Sequence, residues 1–168
     1  MTVYFGDGSD QPVSGKIIQV VPSTIKYDTF SGAADGSELT LTGLSAAITL
    51  KVSASKVMVI ASLFYCCGGT TYGCYLKRGS TIVGVGSSSG SRQRMTGALG
   101  LTADANQCQQ CTIHFEDTPG AGTHTYQLYA NNDNTESLYI NRSINDTNSA
   151  VGKRGISTVT LYEVQQEP

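Results

Sequence analysis

The sequence predicts an all-β domain, either a sandwich or a partly closed barrel. Three observations predict it. The composition favours pleated, half-buried surfaces and frequent chain reversals. Gly is 19 of 168 residues, Trp is absent, only 14% of residues are charged, and Ser, Thr and Asn are abundant. Short apolar or alternating runs follow one another, separated by turn residues. No stretch of ten or more residues repeats its apolar positions at the 3.6-residue helical period. A chain of this length is the size of one domain, with no second domain or internal repeat visible. A domain this large buries roughly 70% of the surface its unfolded chain exposes. It therefore needs neither metal nor disulfide to hold together.

The elements can be taken in order. Residues 1–15 read as an arm, with turn chemistry at Gly6-Asp7-Gly8-Ser9-Asp10 and a close at Pro12 and Gly15. Val3, Tyr4 and Phe5 form an apolar tip, which marks the arm as a candidate tether; a frayed terminus is the alternative. Residues 16–168 are the domain. Residues 17–21 form the first expected strand, stopped by Pro22. Runs at 26–30, 38–42 and 46–52 follow. The longest, residues 56–65, is apolar on both faces and reads as a central, doubly buried strand. Further strands are expected at 72–77, 81–85, 112–116, 123–130, 136–141 and 156–164. Residues 86–105 are Ser/Gly-rich and weakly patterned, as expected of a long surface loop with room for one short strand. Long loops in compact domains often carry function. Arg92 and Arg94 in this loop, and Asn131, Asn132 and Asp133 in a later one, are the candidate outer binding residues.

Charge and patterning exclude several classes. Net charge is −2 and pI about 5.6, so no basic stripe marks a nucleic-acid partner. No run of 18 apolar residues calls for membrane insertion by a helix. The N-terminus lacks the basic start and apolar run of a signal peptide, so synthesis and assembly in a cytoplasm are expected. The five cysteines, Cys66, Cys67, Cys74, Cys108 and Cys111, do not suggest a disulfide framework.

No catalytic constellation is expected. His114 and His124 each fall in an alternating run, away from any nucleophile, and there is no G-x-S-x-G or H-E-x-x-H. Glu116-Asp117 is the one adjacent acidic pair in the sequence, and it sits just before a Pro119-Gly120 turn. Cys108-Gln109-Gln110-Cys111 has the spacing of half a zinc site. However, Cys66 and Cys67 would point to opposite faces of a strand and no histidine assists, so neither metal nor cofactor is expected. Buried free thiols are the plain reading. A Cys108–Cys111 pair, or Cys74 with a neighbour, is the alternative. Asn141-Arg142-Ser143 and Asn145-Asp146-Thr147 match the glycosylation sequon but read as polar loop. Nine Tyr against four Phe is a high ratio. Tyr126, Tyr129, Tyr139 and Tyr162 suit interfaces or half-buried sheet packing.

A set of segments carries a resemblance. Gly15-Lys16-Ile17-Ile18-Gln19-Val20-Val21 opens the domain, followed by Gly43-Leu44-Ser45-Ala46-Ala47-Ile48-Thr49 and Ser55-Lys56-Val57-Met58-Val59. Leu76-Lys77-Arg78-Gly79-Ser80-Thr81, Phe115-Glu116-Asp117-Thr118-Pro119 and Thr125-Tyr126-Gln127-Leu128-Tyr129 come next. Gly155-Ile156-Ser157-Thr158-Val159-Thr160-Leu161-Tyr162-Glu163-Val164 ends the series. This order resembles β-rich domains of tailed-phage virion structural proteins of the tail-fibre or appendage type, as in cyanobacterial and marine phages. The resemblance implies a jelly-roll-like β-sandwich that associates as a homotrimer on the virion surface. It implies docking to other virion proteins, of tail or capsid, through the arm, and loops turned to a host surface glycan. Capsid decoration and a free-standing glycan-binding module are the alternatives.

Overall fold

A computed structural model describes residues 15–132 and 134–166. Among them there is no helix; eleven strands form two antiparallel sheets packed as a sandwich. The strands are β1 (Lys16–Lys26), β2 (Phe30–Gly32), β3 (Glu38–Thr49), β4 (Lys56–Cys67), β5 (Tyr72–Arg78) and β6 (Thr81–Val83). They continue with β7 (Gly97–Leu99), β8 (Gln109–Asp117), β9 (Thr123–Asn131), β10 (Leu138–Ile140) and β11 (Ser157–Gln165). The first sheet runs β1-β11-β4-β8, with β10 and β2 continuing beside the far end of β4. The second runs β3-β9-β5-β6, with β7 also on β5.

This order is that of a jelly roll. The pairs β1–β11, β3–β9, β4–β8 and β5–β6 nest inside one another along the chain. Folding such a nested hairpin over itself yields two four-stranded sheets built from two Greek keys.

Alternation dictates which residues meet between the sheets. From β4, Val57, Val59, Ala61, Leu63 and Tyr65 point inward; from β5 and β9, Tyr72, Leu76, Tyr126, Leu128 and Ala130 answer them in one core cluster. Burying each large apolar side chain among these contributes roughly 1.5–3 kcal/mol.

Three expectations need correction. Pro22 does not stop the first strand, which runs on to Lys26. The strand lies at the sheet edge, and its register slips between Val21 and Thr24, where a residue without an N–H costs no ladder bond. The runs at 38–42 and 46–52 are one strand, β3, interrupted by a register shift between Thr40 and Ser45. Gly43 there adopts φ +83°, and the Gln127 amide donates to the carbonyls of Leu41 (2.9 Å) and Leu44 (3.1 Å) that the bulge strips of ladder partners. Finally, β4 is central but not doubly buried. Its outward residues Met58, Ile60 and Phe64 are only half-buried.

A buried carboxylate joins the two sheets at one end. Glu163 of β11 is fully buried. It accepts the backbone N–H groups of Lys51 and Val52, each at 2.9 Å, on Oε1. The Gln19 amide donates to its Oε2 at 3.0 Å. The turn after β3 is thereby pinned to β11 and β1. Replacing Glu163 with Ala strands these donors and should destabilise the fold by about 2 kcal/mol. In urea unfolding, the midpoint should fall while the slope holds.

Candidate functional site

The outer face of the second sheet carries the most developed site. Tyr75 of β5 and Tyr129 of β9 are direct cross-strand partners. Their rings stack with centroids 5.9 Å apart and planes 17° from parallel. The Lys77 ammonium lies 4.7 Å from the centre of the Tyr129 ring. Lys77 also pairs with Glu38 at the start of β3, and the Tyr75 hydroxyl donates to the same carboxylate at 2.6 Å. Burial pushes the Glu38 carboxyl up, but the hydrogen bonds from Lys77 and Tyr75 outweigh it and hold the group below its ordinary value. Tyr75 is driven the other way, by its own burial and by the negative partner it serves. It is therefore a neutral, fixed aromatic wall.

Gly73, two residues before Tyr75 on the same face, leaves a gap in this wall. A Cβ there would stand 2.7 Å from Met95 Cε and 3.3 Å from Met95 Cβ. The missing side chain lets the loop of residues 84–96 lie back on the sheet. Thr96 N–H donates to Cys74 O at 2.9 Å at the loop's end. Arg94 Nε donates to Gly86 O at 2.6 Å, and Arg92 Nη1 to Ser89 Oγ at 2.8 Å, so both guanidiniums are braced by their own loop. Gln93 Nε2 donates to Asn131 Oδ1 at 3.3 Å and ties the loop to β9.

Between loop and sheet lies a cleft of about 250 Å³. Arg92, Gln93, Arg94 and Met95 form one side, Tyr75, Gly73 and Asn131 the floor, and Ile82 the rim. Two guanidiniums and two amides beside Tyr75 present directed donors to a small polar ligand. Such a set suits hydroxyl or carboxylate oxygens. The volume falls just below the usual range of ligand pockets, so only a compact ligand would fit.

Of the candidate binding residues, the fold thus brings Arg92, Arg94 and Asn131 together. Asn132 does not join them. It is 4% exposed and turned into the structure, where its Oδ1 accepts from Asn134 N–H and its carbonyl from Gly36 N–H. Asp133 and the arm residues Val3, Tyr4 and Phe5 lie outside the described residues. Tyr75, which the sequence did not single out, also lines the floor. Its position two residues from Gly73 on an alternating strand was the available signal.

The other candidates are dispersed. Glu116 and Asp117 face opposite sides of β8. Glu116 pairs outward with Lys56 at 3.0 Å, while Asp117 points inward to Arg78 (2.5 Å) and the Tyr126 hydroxyl (2.8 Å). His124 Nε2 lies 3.0 Å from Gly120 O. Cys108 and Cys111 are split between partners, Cys108 against Cys66 and Cys111 against Cys74; all five cysteines are free thiols. Asn141 is wholly buried at φ +63°. Its amide donates to Lys26 O (2.7 Å) and Asp28 O (3.1 Å) and accepts from Ser157 Oγ (2.7 Å). It is a structural hub and leaves no accessible amide for a glycan.

No protein-family model and no curated protein matches the chain. A solved structure of infectious bursal disease virus, Gx strain, is similar at a TM-score of 0.43 and 14% identity, over 88% of this chain. The chain spans 37% of the length of that viral chain. A likeness this distant lends nothing to the assignment of function.

The buried phenols give a pH prediction. Burial raises Tyr65, Tyr72, Tyr75 and Tyr126 above the usual 10.0. The folded state then holds protons that the unfolded chain releases, so their contribution to stability is complete below about pH 10 and is lost as pH rises further. In an alkaline titration, tyrosinate absorbance from these four should appear together with loss of β-sheet circular dichroism.

Proposed function

We propose that this chain is a bacteriophage virion structural protein. In this reading it is a homotrimeric surface appendage of the tail-fibre or spike type that presents a small glycan-binding cleft to the host. The observation that carries the binding part is the cleft itself. Arg92, Arg94 and Asn131 come from two separate segments and converge over Tyr75 on an outer sheet face. Both arginines are pre-ordered by their own loop, so ligand binding would cost little side-chain entropy. A site of this size binds weakly, and presenting three copies on one particle appendage multiplies the effect.

The particle part is supported by the resemblance of residues 15–164 to phage appendage domains and by the jelly-roll strand order. Self-association is supported by the outer face of the first sheet. There Val20, Tyr162 and Met58 lie side by side on β1, β11 and β4, and Ile60 follows along β4. Val20 is 51% exposed, and the other three are half-buried. A row of large apolar groups on an outer sheet face fits burial against another copy. Residues 1–15 would then dock the assembly to the particle.

The test uses the intact protein on an array of neutral and acidic bacterial oligosaccharides. Wild type should sediment at about three times its 17.7 kDa chain mass and bind a subset of the array. The Arg92→Ala/Arg94→Ala variant should keep that mass and lose binding by at least about tenfold, as expected for two charge-assisted contacts. Monomeric sedimentation, or binding unchanged by the double substitution, overturns the reading.

A further inference from the structure

We infer that Cys74 and Cys111 form an oxidation site, at which a hydroperoxide converts two free thiols into a disulfide tying the two sheets together. This is independent of the glycan cleft and of any particle role.

The placement of the two sulfurs carries the inference. Cys74 lies on the inward face of β5 in the second sheet, fully buried and part of the core. Cys111 lies on the inward face of β8 in the first sheet, packed against the same core but only partly buried. The two side chains approach each other across the sandwich, both beside Gly97. Gly97 of β7 is the backbone partner of Cys74 and makes the contact possible. A Cβ at residue 97 would stand 3.1 Å from Cys74 Sγ and 3.3 Å from Cys111 Sγ, and 2.7 Å from Ile113 Cγ2. Both sulfurs thus crowd the one position where the chain has no side chain.

The contact also divides the roles. The neighbouring Cys74 side chain holds the Cys111 thiol below its ordinary value, against burial that pushes the other way. The same contact, followed by burial, pushes Cys74 up. Cys111 is therefore the more exposed and more easily ionised member, and the one to attack. The Cys111 thiolate attacks one peroxide oxygen, the O–O bond breaks, and the departing hydroxide takes a proton from solvent, leaving Cys111 as a sulfenic acid and one water. Cys74 sulfur then attacks the Cys111 sulfur. Its own proton goes to the departing hydroxyl, which leaves as a second water. One hydroperoxide is reduced by two electrons and one disulfide forms.

Cys108 also lies near Cys66, but Cys66 turns to the outer face of the first sheet. There its Sγ engages Gln107 O at 2.9 Å and Thr102 Oγ1 at 3.2 Å. That contact involves the first sheet and its own preceding loop, and leaves the second sheet untied.

The experiment treats the reduced, folded full chain with one equivalent of hydrogen peroxide and digests it unreduced. Chymotryptic cleavage at Tyr72 separates Cys66 and Cys67 from Cys74, and fragment ions distinguish Cys108 from Cys111. The expected product joins Cys74 to Cys111 and has lost two hydrogens. Closing this cross-sheet loop should raise Tm by roughly 5–10 °C, reversibly with a phosphine reductant. Cys111→Ser should abolish both the cross-link and the shift. Cys74→Ser should leave Cys111 as a sulfenic acid that dimedone traps. A cross-link found only between Cys66 and Cys108, or a Cys74–Cys111 link that forms only in denaturant, overturns the proposal. So does full alkylation of both thiols after peroxide treatment.

Discussion

The structure depends on β4 being hydrogen-bonded along both edges. One edge pairs with β11 from Lys56 to Ser62 and then with β10 from Tyr65 to Cys67; the other pairs with β8 from Val57 to Tyr65. Because β4 is filled on both sides, its register fixes three other strands at once. A slip of one residue would turn Val57, Val59, Ala61 and Leu63 out of the core together. Through β11 the constraint reaches β1 and the domain entrance. Through β8 it reaches the inward row Cys111, Ile113, Phe115 and Asp117, which meets the second sheet.

The cleft is a downstream result of that register. Asp117, placed inward by β8, binds Arg78 at the end of β5 and Tyr126 on β9, and so aligns the two central strands of the second sheet. Once those strands are aligned, Tyr75 must face Tyr129 on the outer side, and Gly73 must leave its gap two residues away. The loop of residues 84–96 fills that gap because Met95 finds apolar surface there. The arginines arrive with it. A functional loop held by a rigid sheet in this way keeps its donors in place at little cost to the scaffold.

Much of this was legible in the sequence, and the illegible remainder has physical causes. β5, β8, β9 and β11 lie where alternation places them, because each presents one face to the core. The inward and outward faces of β4 read alike because Met58, Ile60 and Phe64 are as apolar as the residues that are buried. Composition cannot tell a core face from a face left open. Pro22 misled because the penalty for a missing N–H disappears at an edge and a bulge, neither of which is visible before the strands are paired. Arg92, Arg94 and Asn131 were singled out through loop composition, and the fold brings them to one cleft. Tyr75 was missed because its role depends on an absence, the missing side chain at Gly73. Asn132 was misplaced because an Asn-rich turn reads the same whether its amides face solvent or hold the turn together.

The cross-sheet and end-of-sheet polar contacts explain why a sandwich with so open an apolar face can hold a single register. Glu163, Asn141 and Asp117 sit at different places along the first sheet, and each satisfies donors from segments distant in sequence. Ser157 links Asn141 to β4 by accepting Phe64 N–H at 3.0 Å while donating to Asn141. Apolar contacts between β4 and the second sheet would tolerate sliding, since one branched side chain replaces another at small cost. A buried carboxylate or amide does not tolerate it, because a shift of one residue leaves its donors and acceptors unpaired. The apolar core supplies most of the stabilisation, and these few polar groups decide which alignment receives it. The same reasoning explains how Met58, Ile60 and Tyr162 can remain on an outer face. Register is enforced from the inside, so that face carries no part of the task.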